Sequence, residues 1–187
     1  MSLALDEASD AELVVLARRS EQAAFRALTK RHRGAVYRLA RGATGDAEEA
    51  LDVTQEAFIA AFGALGSYDP ARPFGAWIAR IALNKSRDAM RRRAVRRMFS
   101  LAMPDEGLDI ADPSSPIDQE LAGRQELVRA SAAIARLPAR LKEVLLLRTV
   151  EAMSQAETAE ALGISEKAVE TRLYRARKIL SAALEKI

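Results

Sequence analysis

The stretch from Ser154 to Lys178, SQAETAEALGISEKAVETRLYRARK, decides how this chain is to be read. Ser154 and Glu157 stand at capping-box spacing, which starts a short helix. Gly163 can take the left-handed conformation that ends it, and Ser165 can cap a second helix. Small Ala159 permits two helices to approach closely, and Val169 fills the angle between them. On the second helix Val169, Leu173, Ala176, Leu180 and Ala183 share one face at helical spacing. The opposite face carries Lys167, Glu170, Thr171, Tyr174 and Lys178, with Arg175 at its margin. The plain alternative is a surface helix with scattered solvated charges. Agreement between caps, turn and both apolar faces favours a helix-turn-helix whose second helix is shaped for a major groove. That motif indicates DNA contact without saying what kind of regulator carries it.

Outward from this motif, 187 residues suffice for one medium domain or two small ones. Hydrophobic residues make up 49% and aromatics only 5%, and β-branched runs with period-two alternation are almost absent. The expected fold class is therefore all-α. The net charge of +3 conceals a separation along the chain. From Lys85 to Arg97 there are seven basic residues and one acidic; from Phe99 to Glu126 there are seven acidic and one basic. Such a reversal fits a nucleic-acid face joined to a segment of different duty. With no cysteine, disulfides and thiolate metal sites are excluded. No apolar run reaches membrane-span length, and the N-terminus lacks the basic-then-apolar order of an export signal. The expectation is a cytoplasmic protein without membrane insertion, metal site or cofactor.

Two helical blocks flank a stretch rich in breakers and acids, MPDEG at 103–107 and ADPSSP at 111–116. The expected division is a domain at 10–97, a flexible acidic linker at 98–118 and a second domain at 119–187. In the first block Asp10 can cap a helix, a second helix starts near Glu21, and Asp46 with Glu49 has capping-box spacing before a long helix to about Leu65. That helix is expected to bury Ala47, Ala50, Thr54, Phe58, Ala61, Phe62 and Leu65. Pro73 suits the first turn of the next helix, which is expected to run to about Arg93.

Two constellations could carry function. Glu48, Asp52, Gln55, Glu56 and Ile59 line one side of the 46–65 helix. An acidic stripe is often a solvated face, whereas a branched aliphatic within it suits a protein-binding patch, and spacing alone leaves both readings open. On the next helix Arg80, Asn84, Arg87 and Arg91 recur about once per turn, able to follow a phosphate backbone and hydrogen-bond a base edge. The preceding loop offers Tyr68, Asp69 and Arg72, groups suited to gripping an unstacked base. A charged, solvated helix is again the alternative, disfavoured by the density of arginine without compensating acids.

The run from Asp46 to Phe58, DAEEALDVTQEAF, resembles region 2 of a bacterial sigma factor, and PFGAWIARIALN at 73–84 continues the match. LPARLKEVLLL at 137–147 resembles the opening of region 4, which the helix-turn-helix closes. Two such blocks without a third domain between them resemble the extracytoplasmic-function (ECF) subfamily. The resemblance implies a factor that binds core RNA polymerase and directs it to promoters, reading a −35 duplex and melting a −10 element. It implies that Asp52, Gln55 and Glu56 face the β′ clamp helices, with Glu48 and Ile59 on the same core-binding stripe. The loop from Ser67 to Arg72 would capture a flipped −10 base, and Arg80, Asn84, Arg87 and Arg91 would hold the neighbouring strand. The −35 contacts would come from Ser165, Lys167, Glu170, Thr171, Arg172, Tyr174, Arg175 and Lys178. Residues 141–147 would help form the site for the β flap, and an anti-sigma factor is an implied partner. Lys167 to Arg172 departs from the Gly-Thr-Val-Lys-Ser-Arg pattern of many members, and Ser20-Glu21 stands where Gly-Asp is common.

A stand-alone helix-turn-helix regulator would explain the C-terminal motif but neither the Asp52 stripe nor the arginine-rich helix. A sigma-like decoy that sequesters an anti-sigma protein need not keep base-contacting residues. An enzyme is poorly supported, because the single histidine, His32, has no nucleophile pattern around it.

Overall fold

The computed structural model describes residues 7–102 and 121–184 together with Leu5, and among them every regular element is helical. Side chains from 100 to 128 are not described, and residues 103–120, most of the expected linker, lie outside the described residues. The chain forms α1 (Asp10–Arg18), α2 (Gln22–Thr44), α3 (Ala47–Gly63), a 3-10 turn (Leu65–Ser67) and α4 (Phe74–Ala102). The second block comprises α5 (Leu121–Arg136), α6 (Ala139–Thr149), α7 (Gln155–Leu162) and α8 (Glu166–Leu184).

Local chemistry sets the helix ends. The cap of α1 is Ser9 rather than Asp10: its hydroxyl accepts from the Glu12 amide while the Glu12 carboxylate accepts from the Ser9 amide. Asp10, one residue inside, instead pairs with Arg31 at 2.6 Å and His32 at 2.8 Å. This holds the Asp10 carboxyl below its ordinary value, first through the His32 bond. Helix α2 stops at Gly45, whose φ of 76° is left-handed, and Asp46 then caps α3 by accepting from the Glu49 amide. Helix α4 runs to Ala102, nine residues past the expected end near Arg93 and into the start of the expected linker. No glycine or proline interrupts it between Ala76 and Ala102, and its arginines keep good helix propensity.

The core of the first block joins Leu13, Val14, Leu28, Val36, Leu39, Phe58, Leu65 and Ile78 with an aromatic cluster of Tyr68, Phe74 and Trp77. Ring centroids in that cluster lie 5.0–5.6 Å apart. On α3 the buried residues include Val53 and Ala57, whereas Ala47, expected inside, is exposed because it opens the helix beyond the neighbouring elements. The same core continues into the second block through Leu146, Leu147 and Ala161. Helix α6 is therefore enclosed, with all six residues from Lys142 to Leu147 buried between α2 and α8. Each fully buried leucine contributes roughly 1.5–3 kcal/mol, so this run ties the two blocks into one body.

Candidate polymerase and promoter interfaces

Helix α3 packs its Ala50, Val53, Ala57, Phe58 and Ala61 side inward and turns the expected acidic stripe outward. Glu48, Asp52 and Gln55 are exposed, and Ile59 is 67% exposed. Leu51, at 59%, stands one and two turns from Gln55 and Ile59 on the same side. Sequence reasoning passed over it, although the spacing 51, 55, 59 was available. Glu56 departs from the stripe: it accepts from Arg92 at 3.2 Å and pairs with Lys85 at 3.5 Å, and so it faces α4. The arrangement is an apolar pair rimmed by carboxylate and amide groups, the composition of a protein-docking patch.

Between α3 and α4 the loop from Ser67 to Arg72 is ordered by its own bonds. The Ala71 amide donates to Asp69 Oδ1 and the Arg72 amide to the Asp69 carbonyl, while the Tyr68 hydroxyl donates to the Arg72 carbonyl. Tyr68 is only 3% exposed, against Phe74 and Trp77. As placed here it cannot offer a stacking face to an extruded base, contrary to the expected role; it shapes the loop from below. Packing made this contact, and no local pattern signals it. Ser67, Asp69 and Arg72 are exposed.

Helix α4 carries Arg80, Asn84, Arg87 and Arg91 outward, all exposed. The Arg87 guanidinium donates to Asn84 Oδ1 at 2.7 Å, and Arg91 pairs with Asp88 at 2.9 Å. Much of this face is turned toward the second block. Arg87 forms a forked pair with the buried Glu143 carboxylate of α6, at 2.5 and 2.8 Å, which raises the Arg87 pKa. Arg80, Asn84 and Arg87 line a small cleft whose other wall is Ala161 and Leu162 of α7. Arg72 reaches Glu160 at 3.3 Å, and Arg38 of α2 reaches Glu151 at 3.0 Å. In each pair an arginine of the first block meets a glutamate of the second. Lys142 adds bonds from its ammonium to the carbonyls of Ala43 and Ala135, and its burial lowers its pKa. Gly42 marks the close approach, since a Cβ there would overlap the Leu146 side chain.

In the second block Ser154 closes a full capping box with Glu157, and Gly163 adopts φ 63°. Ser165 accepts from the Ala168 amide, and Val169 is 1% exposed against Val144 and Ala159. Ala176 and Leu173 pack inward, but Ala183 is exposed because α8 there runs past its neighbours. Ser165, Lys167, Glu170, Thr171, Tyr174, Arg175 and Lys178 are exposed, and Arg172 is half-buried. Glu170 pairs with Lys167 at 3.1 Å on the exposed face of α8. Of the residues expected to meet the β flap, 142–147 are enclosed by α2 and α8 and Leu141 is half-buried. Among the described residues, no group of three or more histidines and acids is placed to hold a metal ion, and no helix is long and apolar enough to cross a membrane.

A two-domain helical protein with an exposed acidic and apolar stripe, an arginine face and a helix-turn-helix has the parts of a promoter-specificity factor. The chain matches Sigma-70 region 2 over residues 28–96 and Sigma-70 region 4 over residues 127–180. It is 40% identical to the RNA polymerase sigma factor CnrH of Cupriavidus metallidurans, covering 96% of both chains. It is 30% identical to the ECF RNA polymerase sigma factor SigW of Bacillus subtilis, covering 89% of this chain and 92% of that one. The solved structure of CnrH in complex with the cytosolic domain of CnrY superposes with a TM-score of 0.72 at 36% identity, over 95% of this chain and 97% of the other. The chain belongs to the ECF group of the sigma-70 family, the non-catalytic factors that direct RNA polymerase to promoters.

Proposed function

We propose that this sigma factor docks on the β′ clamp helices through Leu51, Asp52, Gln55 and Ile59 of α3, with Glu48 at the rim. The exposed apolar pair within an acidic stripe carries this reading, because Leu51 and Ile59 are the large apolar side chains of α3 left in solvent and a stand-alone DNA regulator has no use for such a face. Ser67, Asp69 and Arg72 of the loop would receive a −10 base, and Arg80, Asn84, Arg87 and Arg91 would follow the non-template strand. Extruding a base costs a few kcal/mol, which bonds in the loop and phosphate contacts from the arginines offset. Exposed α8 would read −35 DNA, with Glu170 exchanging Lys167 for a cytosine amino group.

The resting protein is closed. Glu143 and Glu160 occupy Arg87 and Arg72 as phosphates or bases would, so the second block must leave α4 before the −10 strand can enter. Opening would also uncover 141–147 for the β flap. The domains are taken as 10–97 and 119–187, joined by 98–118. CnrH, the relative described above, was solved with the cytosolic domain of CnrY, and we infer a comparable anti-sigma partner here, one that would act by holding the closed form. The chain itself would perform no bond chemistry and would work in the cytoplasm beside core polymerase.

Run-off transcription with purified core polymerase on fragmented genomic DNA tests this. New start sites sharing paired −10 and −35 sequences support the reading. Core binding without transcripts favours a decoy, and no core binding would leave the stand-alone regulator.

A further inference from the structure

We propose that Arg18, which precedes the segment matching region 2, is the positioning residue of the −10 loop; this rests on the reading that the Ser67–Arg72 loop captures a base. Arg18 is the last residue of α1, and its Nε donates to the Leu65 carbonyl at 3.1 Å. Its Nη2 donates to the carbonyls of Gly66, at 3.5 Å, and Tyr68. One guanidinium thus gathers three carbonyls across the 3-10 turn that leads into the loop. A planar fork with donors at fixed angles suits this; an ammonium, a compact charge on a flexible stem, does not reproduce it.

The anchor is itself fixed. Leu13, Val14 and Ala17 seat α1 in the core at 0–2% exposure, and the Ser9–Glu12 box holds its start. The loop is therefore suspended between two supports: Arg18 at its entry and the Tyr68 hydroxyl at Arg72 near its exit. Between them Ser67 and Asp69 remain exposed. A loop ordered before the base arrives does not lose that freedom on binding, so preorganisation turns into affinity and base discrimination. Arg18 need not touch DNA to do this.

The test uses the full chain with core polymerase on one promoter found by run-off, with each of the four bases at the captured −10 position. Core affinity, thermal stability and discrimination at −35 are measured beside it. A matched base is ordinarily preferred by roughly tenfold or more. For Arg18→Ala, this preference falls to within about threefold while −35 discrimination and core binding stay at their wild-type values. Arg18→Lys keeps the charge and recovers only part of the preference. A purely structural role would instead lower output on all four templates alike, with the preference intact, and would overturn the proposal. If Arg18→Ala does not fold, Arg18→Lys and Arg18→Gln are read the same way; an unchanged preference in both overturns it. Asp69→Ala on the same templates separates the two layers. A flat response there sinks the loop reading, whereas a response to Asp69→Ala but not to Arg18 variants sinks only the positioning role.

Discussion

Helices α3 and α4 cross in one small core yet present their functional faces differently. On α3 Leu51 and Ile59 stand in solvent, more than half exposed, beside Asp52 and Gln55. On α4 the Arg87 fork is filled by Glu143, the cleft beside Arg80 and Asn84 is walled by α7, and nearby Arg72 is shared with Glu160. On the function proposed above, the core-docking stripe is open in the free protein, while two arginines of the −10 face, Arg87 and Arg72, are paired with acids of the second block. On that proposal the factor would meet its enzyme before it meets single-stranded DNA, which would limit binding to stray nucleic acid.

Substitutions can separate the two faces. Ile59→Lys replaces the most exposed apolar anchor of the proposed docking stripe with a charge and should weaken core binding by at least about thirtyfold, as loss of a hot spot does. The closed form should persist, and a titration of labelled core reports the first effect. Gly42→Leu drives a side chain into Leu146 and should open the blocks without removing a charge. Overpacking costs about 1–3 kcal/mol, so free-protein affinity for a single-stranded −10 oligonucleotide should rise roughly fivefold to a hundredfold. Glu143→Gln removes the charge opposite Arg87. Because Arg87 is nearly half exposed, screening limits the gain in oligonucleotide affinity to about tenfold, whereas Arg87→Ala should lose affinity instead. Equal effects of Glu143→Gln and Arg87→Ala would mean that the pair is structural only. The smallest change expected is Ser20→Gly. Ser20 has φ 65°, so glycine should raise stability by about 1 kcal/mol in thermal unfolding and leave both faces unaltered.

That last position shows what the sequence made legible. Ser20 stands where glycine is common in the family, and its positive φ is the physical reason for the habit. The helix-turn-helix was readable because Ser154, Glu157, Gly163 and Ser165 act over three or four residues. The α3 stripe followed from helical spacing. Burial of Tyr68, the turning of Glu56 toward Arg92 and the pairing of Arg87 with Glu143 were not readable. They join residues 36 to 56 positions apart or depend on rings brought together by packing, and no local pattern encodes them. Arg18 was missed for the same reason, since its bonds span 47 to 50 positions.

Cysteine is absent, so Ala47→Cys and Ala183→Cys, both exposed, provide a unique label pair across the two blocks. Distance distributions between them, taken for the free protein at physiological salt and again with core polymerase, test the closed resting state most directly. One narrow distance is expected in the free protein, shifting on core binding and broadening when Gly42→Leu is added. A broad distribution in the free protein, unchanged by core or by Gly42→Leu, would contradict the closed resting state.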